Sequence, residues 1–203
     1  MKKLDRGFYN RDSLAVGKDL LGKILVHIIH GKRVSAKIVE TEAYRGIEDK
    51  AAHFYGGRRT PRVEVIYGEP GFAYVYLIYG MYHCFNIVTG GEGDPQAVLI
   101  RAVQPLEGLE QIAQNRFRKP YELLAPNQVR GLANGPGKLC RALGIDKSLN
   151  AADLCGDRLY VEEGGEEVFN VVSAKRVGID YAGEARDYLW RFYIQNSNYV
   201  SVK

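Results

Sequence analysis

Alternating apolar and polar residues predict β-strands along much of the chain. Runs at residues 23–29 and 33–44, joined by His30-Gly31-Lys32, predict a β-hairpin. Further strands are predicted at residues 72–78, 83–88, 97–103, 158–162, 168–177 and 189–194. Short hairpin links predominate, and regular β–α alternation is absent. The pattern therefore favours an α+β fold with a curved, mostly antiparallel sheet flanked by helices over a doubly wound fold.

Helical periodicity is confined to short segments. The predicted helices lie at residues 13–21, 48–54, 106–117 and 138–143. Ser13 is the expected cap of the first helix. Gly135-Pro136-Gly137 opens the last helix, because proline fits a first helical turn. Without repeats, linkers or low-complexity stretches, the chain is expected to form one domain over residues 1–203.

Composition narrows the class of protein. The 28 Lys+Arg against 24 Asp+Glu give a formal charge of +4, consistent with a polyanionic partner but equally with an ordinary basic protein. Cys84, Cys140 and Cys155 form no CxxC or Cys/His cluster, which disfavours a disulfide framework and a zinc site. No run is apolar and long enough to span a bilayer. We expect a cytoplasmic protein, associated with the nucleoid if it is bacterial, without membrane contact.

The segment Val39-Glu-Thr-Glu-Ala-Tyr44 is the most informative feature of the chain. A strand's period of two places Glu40, Glu42 and Tyr44 on one face, and His53 follows after eight intervening residues. Acids beside an aromatic ring make a poor core stripe. They fit the floor of a polar pocket for a flat ligand such as a nucleobase.

Arg101 lies within the apolar strand Val98-Leu-Ile-Arg-Ala-Val103. An isolated buried charge is very costly, so this guanidinium needs a partner, and Glu42 is the candidate. A structural ion pair and an active-site pair both remain open at this point.

Tyrosines cluster in Tyr74-Val-Tyr76-Leu-Ile-Tyr79-Gly-Met-Tyr82. An exposed turn carrying Tyr79 and Met81 would suit a wedge that opens a duplex. The alternative is that these rings close a core or an interface. Basic residues lie nearby, namely Arg58, Arg59, Arg62 and, at a predicted helix start, Lys138. Each one alone could be a solvated charge, but their clustering favours phosphate contact.

These residues together carry a family resemblance. From about residue 20 onward, in order, the chain resembles the 3-methyladenine (alkyladenine) DNA glycosylase family of the mammalian type. The matching motifs are Val39-Glu-Thr-Glu-Ala-Tyr44, Ala51-Ala-His53, Gly56-Gly-Arg58 with Thr60-Pro61, Tyr76-Leu-Ile-Tyr-Gly-Met-Tyr82, Asn86, Leu99-Ile-Arg-Ala102, Pro105-Leu-Glu-Gly108, Gly135-Pro136 with Lys138-Leu-Cys140, and Arg176-Val-Gly178 with Ala182-Gly183.

The resemblance implies a role for each matching position. Glu42 would be the general base that activates a water against the deoxyribose C1′, and Arg101 and the main-chain carbonyl of Val177 would help to hold that water. The base pocket would consist of Tyr44, His53, Tyr76 and Asn86, of which Asn86 excludes the amino group of guanine. Tyr79 would intercalate through the minor groove, and Arg58, Thr60, Met81 and Lys138 would contact the DNA backbone or groove.

The resemblance also implies a formyltransferase C-terminal-domain-like fold and a monomer that needs no metal or cofactor. Its substrates would be 3-methyladenine, 7-methylguanine, hypoxanthine and ethenoadenine in double-stranded DNA. One carboxylate suffices for an alkylated purine, because the cationic base leaves without acid help, whereas ordinary glycosidases need two. No lysine shares the strand face of Glu42, so a monofunctional enzyme is expected.

Two other classes of function remain open. A free-nucleoside hydrolase or phosphorylase would have no use for Tyr79 or the Arg58 region. A non-catalytic DNA-distorting or RNA-binding protein would use Glu42 and Arg101 only as a structural pair.

Overall fold

One open antiparallel sheet of eight strands organises the chain in the computed structural model, which describes residues 1–202. The strands are β1 (Ile24–Ile29), β2 (Lys32–Arg45), β3 (Ala73–Ile78), β4 (Tyr82–Thr89), β5 (Gln96–Glu107), β6 (Leu159–Glu162), β7 (Val171–Ala174) and β8 (Arg191–Ile194). The α-helices are α1 (Arg6–Tyr9), α2 (Ser13–Asp19), α3 (Leu109–Phe117), α4 (Pro126–Arg130) and α5 (Pro136–Ala142). The sheet order is β3-β4-β5-β2-β1-β6, and β8 pairs with both β2 and β7.

The α+β class and the antiparallel sheet are thereby confirmed. The predicted domain of residues 1–203 ends on Lys203, which lies outside the described residues. Within residues 1–202, no helix combines the length and apolarity that crossing a membrane would require.

Strand β2 is the centre of the sheet. It pairs with β5 along one side, while on its other side β1 and β8 share its length. The register with β5 is irregular at Glu40: Glu40 lies opposite Ala102, but Thr41 lies opposite Ile100. Arg101 therefore falls at a break in the ladder, and such breaks commonly redirect a side chain.

Alternation along the strands separates two apolar regions. Ala73 and Val75 face the main core, which the helices cover, whereas Tyr74 and Tyr76 belong to a smaller cluster on the other face. On β2, likewise, Ala43 faces the main core and Tyr44 packs against the smaller cluster. The period-two pattern thus placed the tyrosines of β2 and β3 on the face that carries the cavity described below.

The predicted hairpin is confirmed, with Ile29 opposite Lys32 and a left-handed backbone at His30 and Gly31. The predicted helix at residues 48–54 is wrong. There the Asp49 carboxylate accepts the Ala51 N–H at 3.0 Å and supports a turn instead of a helix.

The cap of α2 is Asp12, which accepts the Leu14 N–H at 2.9 Å, and not Ser13. The helix expected from residue 106 begins at Leu109, because β5 continues to Glu107. The sequence pattern did not predict α1 or α4.

Candidate active site

A cavity of about 610 Å³ opens on the tyrosine-rich face of the sheet. That volume suits a small organic ligand. Several of the predicted catalytic, base-pocket and DNA-contact residues line this cavity, namely Tyr44, His53, Tyr76, Tyr79, Asn86, Arg101, Lys138 and Val177. Glu42 lies behind this lining, while Arg58, Thr60 and Met81 do not line the cavity.

Glu42 is fully buried and bound by three donors. Its Oε2 accepts the Tyr44 hydroxyl at 2.9 Å, and its Oε1 accepts the Val177 N–H at 2.7 Å. Arg101 Nη1 lies 3.3 Å from the same Oε1. These three contacts fix the orientation of the Glu42 carboxylate beside the cavity, and a positioned carboxylate is what a general base requires. The atom of Val177 seen to contact Glu42 is its amide nitrogen, while the role of its carbonyl stays a prediction.

The two acids of the motif share Arg101. Arg101 is 7% exposed, and its Nε lies 3.5 Å from Glu40 Oε1. Burial acts to lower the pKa of Arg101, but the charges of Glu42 and Glu40 outweigh it and raise that pKa. Arg101 is therefore a fixed positive charge between two carboxylates.

Tyr44 is held from behind by a buried ion pair. Arg176 lies 4.8 Å from the centroid of the Tyr44 ring and 5.0 Å from that of Trp190. Both carboxylate oxygens of Asp49 accept from Arg176, at 2.6 and 2.8 Å. Burial and the neighbouring Glu42 raise the pKa of Tyr44, so its hydroxyl stays protonated and donates to Glu42. Sequence reasoning singled out Tyr44 but missed this support.

Three further aromatic side chains, His53, Tyr74 and Tyr76, line the cavity. His53 meets Tyr76 edge-on, with ring centroids 4.6 Å apart, and its Nδ1 lies 2.9 Å from the Tyr74 hydroxyl. Burial, followed by the charges of Arg62 and Arg58, lowers the pKa of His53 to about 4. The imidazole is therefore neutral near pH 7 and can accept as well as donate a hydrogen bond. The hydrogen bond identifies Tyr74, to which sequence reasoning gave no role, as the anchor of His53.

Asn86 also lines the cavity and is 3% exposed. Its Nδ2 donates to the Tyr74 carbonyl at 3.1 Å, which fixes the plane of the amide. An amide held in one orientation can exclude a ligand group by steric clash, whereas a mobile side chain would move aside.

The β3–β4 turn projects apolar side chains into solvent. Tyr79 is 81% exposed and Met81 is 68% exposed. Tyr79 also has a left-handed backbone, with φ 52°. The predicted alternative, that these rings close a core, is wrong for Tyr79, although Tyr74 is indeed buried. Tyr181, 72% exposed and absent from the predicted site, also lines the cavity.

The basic residues near the cavity differ in how they are paired. Arg59 binds Glu64 through two nitrogens, so its charge is neutralised within the protein. Arg58 is exposed and carries no such carboxylate partner among residues 1–202. Lys138, on the first turn of α5, donates to Asn134 Oδ1 at 2.9 Å. Thr60 lies in the loop just after Arg59 and is half-buried.

No group of three or more His, Cys, Asp or Glu side chains within residues 1–202 is arranged to hold a metal ion.

The chain is similar to known proteins along nearly its whole length. Residues 7–198 match the model of a family described as methylpurine-DNA glycosylase (MPG). A protein of Desulfitobacterium hafniense named "Putative 3-methyladenine DNA glycosylase" is 68% identical over 203 residues, all of both chains. A protein of the same name from Clostridium acetobutylicum is 58% identical over 200 residues, 98% of each chain.

Both relatives are bacterial, so they support the predicted family but not its mammalian type. The family also decides between the classes left open by the sequence, in favour of an enzyme that acts on DNA. The chain belongs to the methylpurine-DNA glycosylase family and is a hydrolase of N-glycosyl bonds in DNA.

Proposed function

We propose that the protein is a monofunctional glycosylase that removes alkylated or deaminated purines from double-stranded DNA. Its substrates would be 3-methyladenine, 7-methylguanine, hypoxanthine and ethenoadenine. The observation that carries the proposal is Glu42, a fully buried carboxylate held by three donors next to a cavity walled with tyrosines. One oriented base beside a slot for a flat ring is what hydrolysis of a flipped nucleotide requires.

In the proposed reaction, a water enters beside Arg101 and Val177, which both line the cavity in front of Glu42. Glu42 takes a proton from this water as its oxygen bonds to C1′ of the deoxyribose. The C1′–N9 bond breaks, and its electron pair leaves with the base. The carboxylate charge also stabilises the positive charge that develops on the sugar.

The lesion determines how easily the base leaves. A cationic base such as 3-methyladenine becomes neutral on departure, so it needs no general acid. Stacking on Tyr44 and Tyr76 favours such electron-poor rings. For a neutral lesion a proton donor is also needed, and we assign none. Asn86 would reject guanine, because its fixed amide meets the exocyclic amino group of that base.

Tyr79 would enter the duplex from the minor groove and fill the gap left by the flipped nucleotide. Met81 and Thr60 would contact the groove, and Arg58 and Lys138 the phosphates. We further propose that the enzyme acts as a cytoplasmic, nucleoid-associated monomer without metal or cofactor. The antiparallel sheet is compatible with a formyltransferase C-terminal-domain-like fold, which superposition on such a domain would test.

An excision assay on duplexes containing 7-methylguanine or hypoxanthine, with a chelator present, tests the proposal. Wild-type protein should release the base. Glu42→Gln should bind the lesion duplex as tightly but release the base about 10²–10⁴-fold more slowly, since the amide cannot take the proton of water. Single-turnover rates and binding isotherms measure the two effects separately.

Free inosine serves as the control substrate. Faster cleavage of inosine than of the hypoxanthine duplex would favour a nucleoside hydrolase instead. Undiminished base release by Glu42→Gln would remove Glu42 from the mechanism.

A further inference from the structure

Glu40 is a second fully buried acid, two residues from Glu42, that the proposed reaction leaves without a role. Its Oε1 accepts from Arg191 Nη1 at 2.8 Å, and its Oε2 accepts the backbone N–H of Ser201 at 2.7 Å. Burying a charge is expensive unless it is paired, and here both oxygens are occupied. Glu40 is therefore a rigidly held anion.

Arg101 lies between this anion and the proposed base. Its Nε is 3.5 Å from Glu40 Oε1, and its Nη1 is 3.3 Å from Glu42 Oε1. Among residues 1–202, Nε has no hydrogen-bond partner, and Nη2 reaches Ser201 Oγ only at 3.4 Å. The attraction between Arg101 and Glu40 is therefore mainly one of charge, because directed hydrogen bonds contribute little there.

Arg191 connects Glu40 to the backbone near the cavity. Its Nε donates to the Lys175 carbonyl at 2.7 Å, and its Nη1 also donates to the Val202 carbonyl at 2.8 Å. Lys175 lies two residues before Val177, whose N–H binds Glu42. One guanidinium therefore fixes both Glu40 and the segment that leads to a donor of Glu42.

The charges of this cluster balance: Glu40 and Glu42 face Arg101 and Arg191. If the charge of Glu40 were lost, Arg101 would have Glu42 as its only carboxylate partner. A full ion pair with Arg101 would engage Glu42 Oε1, which also accepts the Val177 N–H, more strongly and weaken Glu42 as a base. Sharing Arg101 between two acids avoids that outcome.

We propose that Glu40 is a positioning residue for base release: by its charge, anchored by Arg191 and the Ser201 amide, it keeps Arg101 from pairing exclusively with Glu42. This inference rests on the proposed role of Glu42. If Glu40 and Arg101 formed a purely structural ion pair, removing the charge of Glu40 would affect folding alone. If Glu40 positions Arg101, removing that charge also changes the rate of base release.

The test uses Glu40→Gln, which retains the size and an acceptor oxygen but removes the charge. We expect its single-turnover rate on a 7-methylguanine duplex to fall about 10–100-fold, because small displacements of reacting groups have effects of that size. The dissociation constant for the same duplex should stay within about twofold, since Glu40 does not line the cavity. Glu40→Asp, which keeps the charge, should recover part of the rate.

Glu162→Gln is the matched control, because Glu162 is also a buried acid, paired with Arg33 away from the cavity. It should lower the melting temperature without slowing base release. A wild-type rate for Glu40→Gln, or an equal slowing by Glu162→Gln, would overturn the inference.

If Glu40→Gln does not fold, Arg191→Lys decides, because it retains the charge but cannot span Glu40 and Lys175. A reduced rate with unchanged binding supports the inference, and a wild-type rate overturns it. Failure of the wild-type protein to release any base would instead refute the proposed function itself.

Discussion

At the scale of single residues, the site depends on neutral or charged forms that burial and neighbours enforce. Three donors hold the Glu42 carboxylate in place, and Tyr44 stays protonated because burial and the neighbouring Glu42 raise its pKa. His53 stays neutral because it is buried near Arg62 and Arg58. The neutral forms of Tyr44 and His53 are therefore set before DNA binds, and neither side chain would repel a cationic base.

The lowered pKa of His53 predicts an effect of pH on stability. Below pH 6.5 the unfolded chain takes up a proton at this residue, whereas the folded protein does so only near pH 4. The unfolded state therefore binds more protons in this window, so the wild-type protein loses stability as the pH falls. The free energy of unfolding of wild-type protein relative to His53→Gln should fall by about 1–3 kcal/mol between pH 7 and pH 4.

Urea denaturation of both proteins at several pH values measures this difference. A difference that does not change with pH would show that His53 is not held neutral by its surroundings.

At the scale of elements, the β3–β4 turn projects its side chains into solvent and does not pack them against the core. Tyr79 adopts a left-handed backbone, which costs a non-glycine residue about 1 kcal/mol, and its exposed ring gains no packing in return. A strained, exposed aromatic residue at a turn is a reason to expect function, because nothing in the free protein compensates for it.

Tyr79→Ala should therefore change the free energy of unfolding by less than about 0.5 kcal/mol, as exposed positions usually do. Excision from a paired lesion should slow about 10-fold or more, because flipping a base costs a few kcal/mol and the wedge offsets part of it. Single-stranded substrate needs no wedge and should be cleaved at nearly the wild-type rate.

Leu123→Ala is the control, since Leu123 is 66% exposed but does not line the cavity. Equal losses on single- and double-stranded substrate would contradict the role of Tyr79 as a wedge.

At the scale of the whole molecule, the distribution of the charges indicates where phosphates would bind better than the net charge of +4 does. Arg59 is neutralised by Glu64, whereas Arg58 is exposed near the cavity. Lys138 lines the cavity itself. These two cations are the ones expected to meet phosphates.

Arg58→Ala and Lys138→Ala should each weaken binding to damaged and undamaged duplex alike. Each should reduce the slope of log K against log salt concentration by about 0.9, the value for one lost phosphate contact. Titrations at several salt concentrations measure the slope. Lys32→Ala is the control, because Lys32 lies at the opposite end of β2 from Tyr44, and an equal loss there would indicate only a general charge effect.

Local patterns predicted most of the sheet because hydrogen bonding and side-chain alternation repeat over a few residues. The hairpin at His30-Gly31, the strands and the common face of Glu42 and Tyr44 all follow from that period. The helix expected at residues 48–54 failed for a tertiary reason: Asp49 caps a turn and also binds Arg176, which is 127 positions away.

By itself, therefore, the sequence determined the α+β class and the family, and it singled out Glu42 and Tyr44 as candidate site residues. Only the tertiary structure decided how the two acids of the motif divide their partners. Glu40 binds Arg191 and Ser201, which lie 151 and 161 positions away, and Glu42 binds Val177, 135 positions away. No local periodicity reports such contacts, because they form only when β8 and the segments before and after it pack against β2.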